Sequence, residues 1–457
     1  MDFSISDVNK ILSNIKNWES LKNKSLTFKN ISLDSRTILS SDLFIAIKGK
    51  TFDGHRFLEE VIKKGVKAVV IQEGMQNLLP SDFPYWIVPD TLKAFHKIAL
   101  FKRRKLNIRV VGITGSVGKT TTKEMMREVL KKLGKINSTK LNYNNEIGVG
   151  LTILDTNLKD KILILEMGMR GLGQIENLSK ISEPDIAVIT NIGSSHIGIL
   201  GSKEKITHAK CEITKYLNPS GVVIIPANDL FLEHTLKKNW SGRIVKVELL
   251  DLEKKDKGIK KNNNLIGFFN RSNNSIIIED KVFEISYEGF HNASNFLFAY
   301  AVAREFKIEF KDYNKFKFES LSGRNKILKS DKTTILDETY NASPESVKAC
   351  IEILLEKPNN HFLILGSMQE LGTKSKKYHK ELFDFITRSN IKKCIFICNT
   401  NDEIIYSDYL KKSKKFLFLN DINNVAETIN KYTKKGDFIL VKGSRFWQLE
   451  KVIKSID

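Results

Sequence analysis

The residues best placed to do chemistry in this 457-residue chain form one run, Gly112-Ile-Thr-Gly-Ser-Val-Gly-Lys-Thr-Thr-Thr122. Gly115 and Gly118, with Ser116 and Val117 between them, let backbone N–H groups turn inward around a polyphosphate. Lys119 can reach the terminal phosphates, the Thr120 hydroxyl can hold Mg²⁺, and Thr121 continues the same turn. The strict phosphate-loop pattern has Gly at position 113, where this chain has Ile113; its glycines fall at 112, 115 and 118. Val110 and Val111 lead in as a strand. Met126, Val129, Leu130 and Leu133 recur at helical spacing on the way out, and Gly134 suits the helix end. The helix N-terminus adds partial positive charge where phosphate would sit.

Other candidates lie at the ends of predicted strands. Ile162-Leu-Ile-Leu165 leads to Glu166, which at the carboxyl end of a parallel strand faces the phosphate crevice. That carboxylate is a natural Mg²⁺ ligand or a solvated strand end. Ile186-Ala-Val-Ile189 leads to Thr190-Asn-Ile-Gly-Ser-Ser-His196. In the next helix, capped by Ser202, Ile206, Lys210, Ile213 and Leu217 form one stripe. Lys210 therefore faces the core, where an unpaired ammonium is costly. It can snorkel outward, pair with a buried carboxylate, or lose its charge by covalent modification. Asn292 and Asn295, in Gly289-Phe-His-Asn-Ala-Ser-Asn295, carry amides that donate and accept together, as recognition of an adenine edge requires. Arg36, in Asp34-Ser35-Arg36, can fork onto a phosphate or serve its own loop; Asp53-Gly54-His55 is a second polar cluster.

These positions need α/β layers to hold them. Leu43–Ile47 and Ala68–Ile71 read as strands with a helix between, giving a small N-terminal α/β domain over residues 1–90. Thr91–Lys105 reads as a connecting helix, and a central domain runs to 322. Its last part, 240–288, is polar, with Phe283, Ile285 and Tyr287 alternating, and suggests a small β insertion. From 323 to 457 strands and helices alternate again, with polar loops at the strand ends. Lys plus Arg number 74 against 53 Asp plus Glu, a formal charge of +21 that attracts polyanions. The lysines are spread along the chain, and the dense cluster Lys254–Lys261 lacks an aromatic residue to stack bases, so it reads as a solvated loop. There is no signal-peptide pattern and no apolar run near the ~20 residues of a membrane helix. Cys211, Cys350, Cys394 and Cys398 lack zinc-site spacing and read as reduced core or near-site cysteines of a cytoplasmic protein.

With these motifs in this order, the chain resembles the Mur ligases, the ATP-dependent amide ligases of peptidoglycan precursor assembly. The resemblance implies three α/β domains: a UDP-substrate domain, a central mononucleotide-binding parallel-sheet domain, and a Rossmann-like C-terminal domain. Four stretches favour the family's dipeptide-adding member: Asn144-Asn145-Glu-Ile-Gly148, Asp337-Glu-Thr-Tyr340-Asn341-Ala-Ser-Pro344, Gly366-Ser-Met-Gln-Glu-Leu-Gly372 and Val441-Lys442-Gly-Ser444-Arg445. The implied reaction joins D-alanyl-D-alanine to UDP-MurNAc-tripeptide through an acyl phosphate, using ATP and two Mg²⁺ ions. The resemblance assigns Lys119 and Arg324 to the phosphates, Thr120 and Glu166 to one ion, and His196 and a carbamylated Lys210 to the other. Asn292 and Asn295 would lie near the adenine. Asp337, Tyr340 and Asn341 would close over the nucleotide. Ser35 and Arg36 would meet the UDP diphosphate, and Asn144, Asn145, Lys442, Ser444 and Arg445 the remaining substrate. It implies a monomer with small-molecule substrates and no nucleic acid. The chain departs from that member at Leu141 (usually Gly), Gly150 (usually Pro), Glu338 and Ser367 (usually Asp) and Cys211 (usually Gly). Sister Mur ligases, folylpolyglutamate synthase and a regulatory or nucleic-acid-binding ATPase are the alternatives.

Overall fold

The computed structural model describes residues 2–12, 25–49, 51–253, 264–399, 406 and 413–456; the lysine cluster at 254–261 lies outside them. Among the described residues, three sheets carry the architecture. In the N-terminal domain four parallel strands run in the order Ile31–Ser32, Leu43–Ile45, Ala68–Gln72 and Tyr85–Val88. Their near-continuous apolar runs suit a sheet covered on both faces. His55, expected as part of a polar cluster, is a core residue. Its Nε2 accepts from Gln72 N at 3.0 Å and its Nδ1 lies 2.6 Å from Asp53 Oδ1.

The helix Thr91–Lys105 follows, opened by the Asp90 side chain at Lys93 N. Its Phe95 is fully buried against the helix Glu146–Asp155. A Cβ added to Gly150 of that helix would lie 2.5 Å from the Phe95 ring. The aromatic ring occupies the space a larger residue would need, which accounts for glycine here. We expect Gly150→Ala to destabilise the protein by about 1–3 kcal/mol through overpacking, and Phe95→Leu in the same chain to return part of it. Urea unfolding decides this; equal stability of Gly150→Ala and the parent would contradict it. The other departure in this region, Leu141, sits 80% exposed at φ +48°, a left-handed conformation that favours glycine.

The central sheet has ten strands. Arg109–Thr114 lies inside it, with Ile186–Ile189 on one side and Ile162–Glu166 on the other, all parallel. From this strand the chain runs to the edge strand Ile136–Ser138, back through Ile162–Glu166 and across to Ile186–Ile189, so the carboxyl ends of Arg109–Thr114 and Ile186–Ile189 flank the topological switch point where α/β sheets bind ligands. The region expected as a separate β insertion instead extends this sheet. Arg243–Asp251 and Leu265–Asn270 add in parallel, and Ser275–Ile278 then turns antiparallel. The alternating apolar residues of these strands cover the helix Phe290–Glu305, which is buried on nearly every side. The C-terminal domain holds a six-stranded sheet, parallel except for the edge strand Lys326–Lys329.

Candidate active site at the domain junction

The strand Arg109–Thr114 ends in the glycine turn, and the helix Lys119–Leu130 begins at Gly118. Gly115 has φ +151°, and a Cβ there would lie 1.9 Å from Thr190 Oγ1, so only glycine fits. Gly118, at φ +82°, is packed against Asn295 Oδ1, 2.4 Å from where a Cβ would stand. Asn295 therefore braces the phosphate loop from the buried helix Phe290–Glu305.

The strand-end loop after Ile189 grips the turn from the other side. Val117 N donates to Asn191 Oδ1 at 3.0 Å, and its carbonyl accepts from Asn191 Nδ2 at 3.0 Å and Thr190 Oγ1 at 2.7 Å. Gly193 N donates to Ser116 Oγ at 2.8 Å. Thr190 and Asn191 belong to the polar strand-end stretch noted in the sequence, and their part is to hold the phosphate loop.

Lys119 donates to Gly115 O at 2.8 Å. Burial lowers its pKa, Glu166 opposes that, and the positive charge of Arg324 adds to it. Glu166 is 3% exposed. One oxygen accepts from Thr120 Oγ1 at 2.8 Å and the other from Asn144 Nδ2 at 2.9 Å. Both partners are neutral. A buried carboxylate beside a hydroxyl is a hard-oxygen set of the kind Mg²⁺ takes together with phosphate oxygens. Thr121 is buried in the first turn of the same helix.

His196 takes a left-handed φ of +65°. Its Nδ1 lies 2.6 Å from Glu370 Oε2 of the C-terminal domain, an ion-pair contact lying off the hydrogen-bond line. That histidine lowers the Glu370 pKa against the effect of burial. Lys210 is 2% exposed in the helix Lys203–Cys211 and has no hydrogen-bond or ion-pair partner among the described residues. Of the three resolutions open to it, outward snorkelling and a carboxylate partner are both absent here. Burial pushes its pKa well below the ordinary range, and the charge of Lys119 adds to the shift. As an ammonium it cannot ligate a cation; as a carbamate it would supply oxygen.

Arg324 enters from the C-terminal domain, with its guanidinium 3.8 Å from the centroid of Tyr340. Asn292 Nδ2 donates to Asn325 Oδ1 at 2.7 Å, joining the two domains beside a small cleft lined by Tyr287, Glu288, Asn325 and Glu338. Asp337 accepts from Thr339 N and Oγ1 and so closes its own turn. Lys442 is buried, and its Nζ donates to Asn341 O at 3.0 Å, tying the strand Asp437–Lys442 to the 338–341 loop. Ser444 Oγ accepts from Gln369 N at 2.8 Å, and Arg445 pairs with Glu450 at 2.9 Å. Ser367 accepts from Trp447 Nε1 at 3.1 Å, so this departure is built into the local packing. Asn145 Oδ1 caps the helix Glu146–Asp155 at Gly148 N. Ser35 lies 3.3 Å from Glu60 Oε2, and Arg36, largely exposed, forks onto Asp34 at 2.6 and 2.9 Å. Ser35 is thus held by the helix Leu58–Lys63 and Arg36 by its own loop.

Comparison with known proteins identifies the family. Three family descriptions match in order: "Mur ligase family, catalytic domain" over 27–103, "Mur ligase middle domain" over 113–303, and "Mur ligase, glutamate ligase domain" over 323–445. The UDP-N-acetylmuramoyl-tripeptide–D-alanyl-D-alanine ligase of Bacillus subtilis is 34% identical over 441 residues, 93% of this chain and 92% of that protein. The chain belongs to the Mur ligase family. The same-named ligase of Synechocystis is 34% identical over 79% of this Mur ligase and 77% of its own length. Among solved structures, a MurF ligase from Thermotoga maritima in complex with ADP aligns with TM-score 0.80 at 28% identity, covering 93% of this chain and 96% of that one. MurF from Acinetobacter baumannii shares the fold at TM-score 0.85, 24% identity and coverage of 100% and 99%.

Proposed function

We propose that this Mur ligase joins D-alanyl-D-alanine to UDP-N-acetylmuramoyl-tripeptide, consuming ATP and releasing ADP and phosphate in peptidoglycan precursor synthesis. The observation that carries the reading is the buried Glu166 with the half-buried Lys119 and Thr120 beside it, approached by Arg324 from the other domain, in a chain alike along 93% of its length to a ligase of that name.

A carboxylate is a poor acyl donor in water, so it needs a better leaving group. The C-terminal carboxylate oxygen of the tripeptide attacks the γ-phosphorus of ATP, and ADP leaves. The dipeptide amine then attacks the acyl carbon and loses a proton. The bond from that carbon to the bridging oxygen breaks, and phosphate departs with the oxygen. The obstacle is two anions that must touch. Lys119 and Arg324 offset that repulsion from opposite domains, in a site where charge interactions are strong because water is excluded. Thr120 and Glu166 would hold one Mg²⁺, and His196 with carbamylated Lys210 a second. Bound Mg²⁺ would supply charge neutralisation on the phosphates. Asn295 and Asn191 keep the phosphate loop in shape, and Asn292 would lie near the adenine. Tyr340 and Asn341 would close over the nucleotide.

Residues 1–90 would hold the UDP end, with Ser35 and Arg36 exchanging their present partners for the diphosphate. Residues 323–457 would bring the dipeptide, hinging at Ser322-Gly323 against the central domain, 91–322. The reaction belongs to the cytoplasm, where ATP and UDP-linked substrates are found. The four buried free cysteines suit that reducing compartment, and among the described residues no helix is long and apolar enough to cross a membrane. We assign a monomer without a nucleic-acid partner. A panel of amines scored by ADP release tests the reading. Release should require UDP-MurNAc-tripeptide and peak with D-Ala-D-Ala. Stimulation by single amino acids, glutamate or DNA instead would favour a sister ligase, a folylpolyglutamate synthase or an ATPase.

A further inference from the structure

Glu345 stands in the first turn of the C-terminal-domain helix Pro344–Leu355, but its carboxylate reaches out of its own domain. Its Oε1 accepts from Ser194 N at 2.9 Å and from Ser194 Oγ at 2.8 Å, in the central-domain loop that grips the phosphate turn. The next links lead inward: Gly193 N donates to Ser116 Oγ at 2.8 Å, and Ser195 Oγ to Ser116 O at 3.3 Å. The layer is thin. A Cβ at Gly193 would lie 3.1 Å from Ser116 Cβ and 3.2 Å from Glu345 Cδ. Farther along the same loop, Gly198 N donates to Glu370 O at 2.9 Å, and a Cβ at Gly198 would lie 2.5 Å from Gly372 N. The C-terminal domain therefore holds this loop at two points, Ser194 and Gly198.

The other carboxylate oxygen, Glu345 Oε2, is buried without a partner among the described residues. Glue between domains would not need this: a half-satisfied carboxylate kept from water costs stability, and an apolar contact would cost less. An acidic residue in a first helical turn is often there for the helix dipole alone, but such a residue does not bond a loop of another domain at two points.

We propose that Glu345 is a positioning residue for phosphoryl transfer, setting the phosphate loop through Ser194 and Ser116 only when the C-terminal domain is docked. ATP turnover then waits for the domain that brings the amine. This rests on the ligase reading above.

The test uses the full-length enzyme with Glu345→Ala, Glu345→Gln and the parent. One readout is kcat and KM for ATP with all substrates present. The other is independent of chemistry: the distance between spin labels on Lys237→Cys and Lys380→Cys, both exposed, with a non-hydrolysable ATP analogue. Native cysteines are buried, which favours labelling at the introduced sites. Loss of loop registration should lower kcat of Glu345→Ala by about 10- to 100-fold, as small misplacements of reacting groups do. Its KM for ATP and melting temperature should stay near the parent's, and its docked population should fall. Glu345→Gln keeps the acceptor oxygen and should retain most of the parental kcat and docking. Parental kcat in Glu345→Ala, an unchanged docked population, or a Gln variant as impaired as Ala would each overturn the proposal. Failure of the parent to use the dipeptide would instead reject the ligase reading, with the distance measurement still reporting on the clasp.

Discussion

Lys119→Ala is expected to lose ATP turnover by roughly 10³-fold or more while keeping its fold, because it removes a preorganised charge at the point where negative charge gathers. Lys119 is half-buried and donates to Gly115 O, and its charge is opposed by desolvation and by Arg324. Such an ammonium is held at a cost that the folded chain alone does not repay. Glu166 keeps its two neutral hydrogen bonds from Thr120 and Asn144 in the variant, so no network unravels. ADP release, circular dichroism and a thermal melt on the same sample check this. Loss of activity through unfolding, or turnover near the parent's, would contradict the assignment.

Lys210→Ala is expected to lower activity by roughly a hundredfold, and added formate or acetate should restore part of it. The parent lysine is buried, lacks any partner among the described residues, and feels Lys119 as a like charge. An ammonium is therefore disfavoured in both respects. The free amine can add to carbon dioxide, and the resulting carbamate replaces a disfavoured positive charge beside Lys119 with a negative one. A small carboxylate entering the cavity left by Ala would present similar oxygens. Absence of rescue at any concentration would contradict the carbamate, and so would an intact parent enzyme whose activity is unaffected by stripping carbon dioxide and bicarbonate.

The phosphate loop was legible because its parts are adjacent in the chain: strand, glycines, Lys119 and helix follow one another. Glu166 was legible as a strand end, since parallel sheets bring their carboxyl ends to one edge. The Lys210 stripe was legible from helical period, although the helix tightens to a 3₁₀ turn at Glu212–Thr214 before the stripe ends. What stayed hidden acts across domains or through backbone. Glu345 and Ser194 are far apart in sequence, and nothing local marks a first-turn glutamate as reaching another domain. Asn295 offered an amide fit for a base edge, yet packing sets it against Gly118. Lys442 lies in a polar motif, and its bond to Asn341 O depends on the pairing of two strands far apart in sequence. The region 240–288 reads as a small β insertion because its strands are polar on one face, as sheet-extending strands with one solvated face are.

The most direct test of the chemistry follows one oxygen atom. UDP-MurNAc-tripeptide labelled with ¹⁸O in its C-terminal carboxylate, incubated with ATP, Mg²⁺, D-Ala-D-Ala and the enzyme, should give a pentapeptide product by mass spectrometry. One labelled oxygen should appear in the released phosphate for each amide formed. Pentapeptide formed with unlabelled phosphate, or phosphate released without pentapeptide, would contradict activation of the carboxylate as an acyl phosphate.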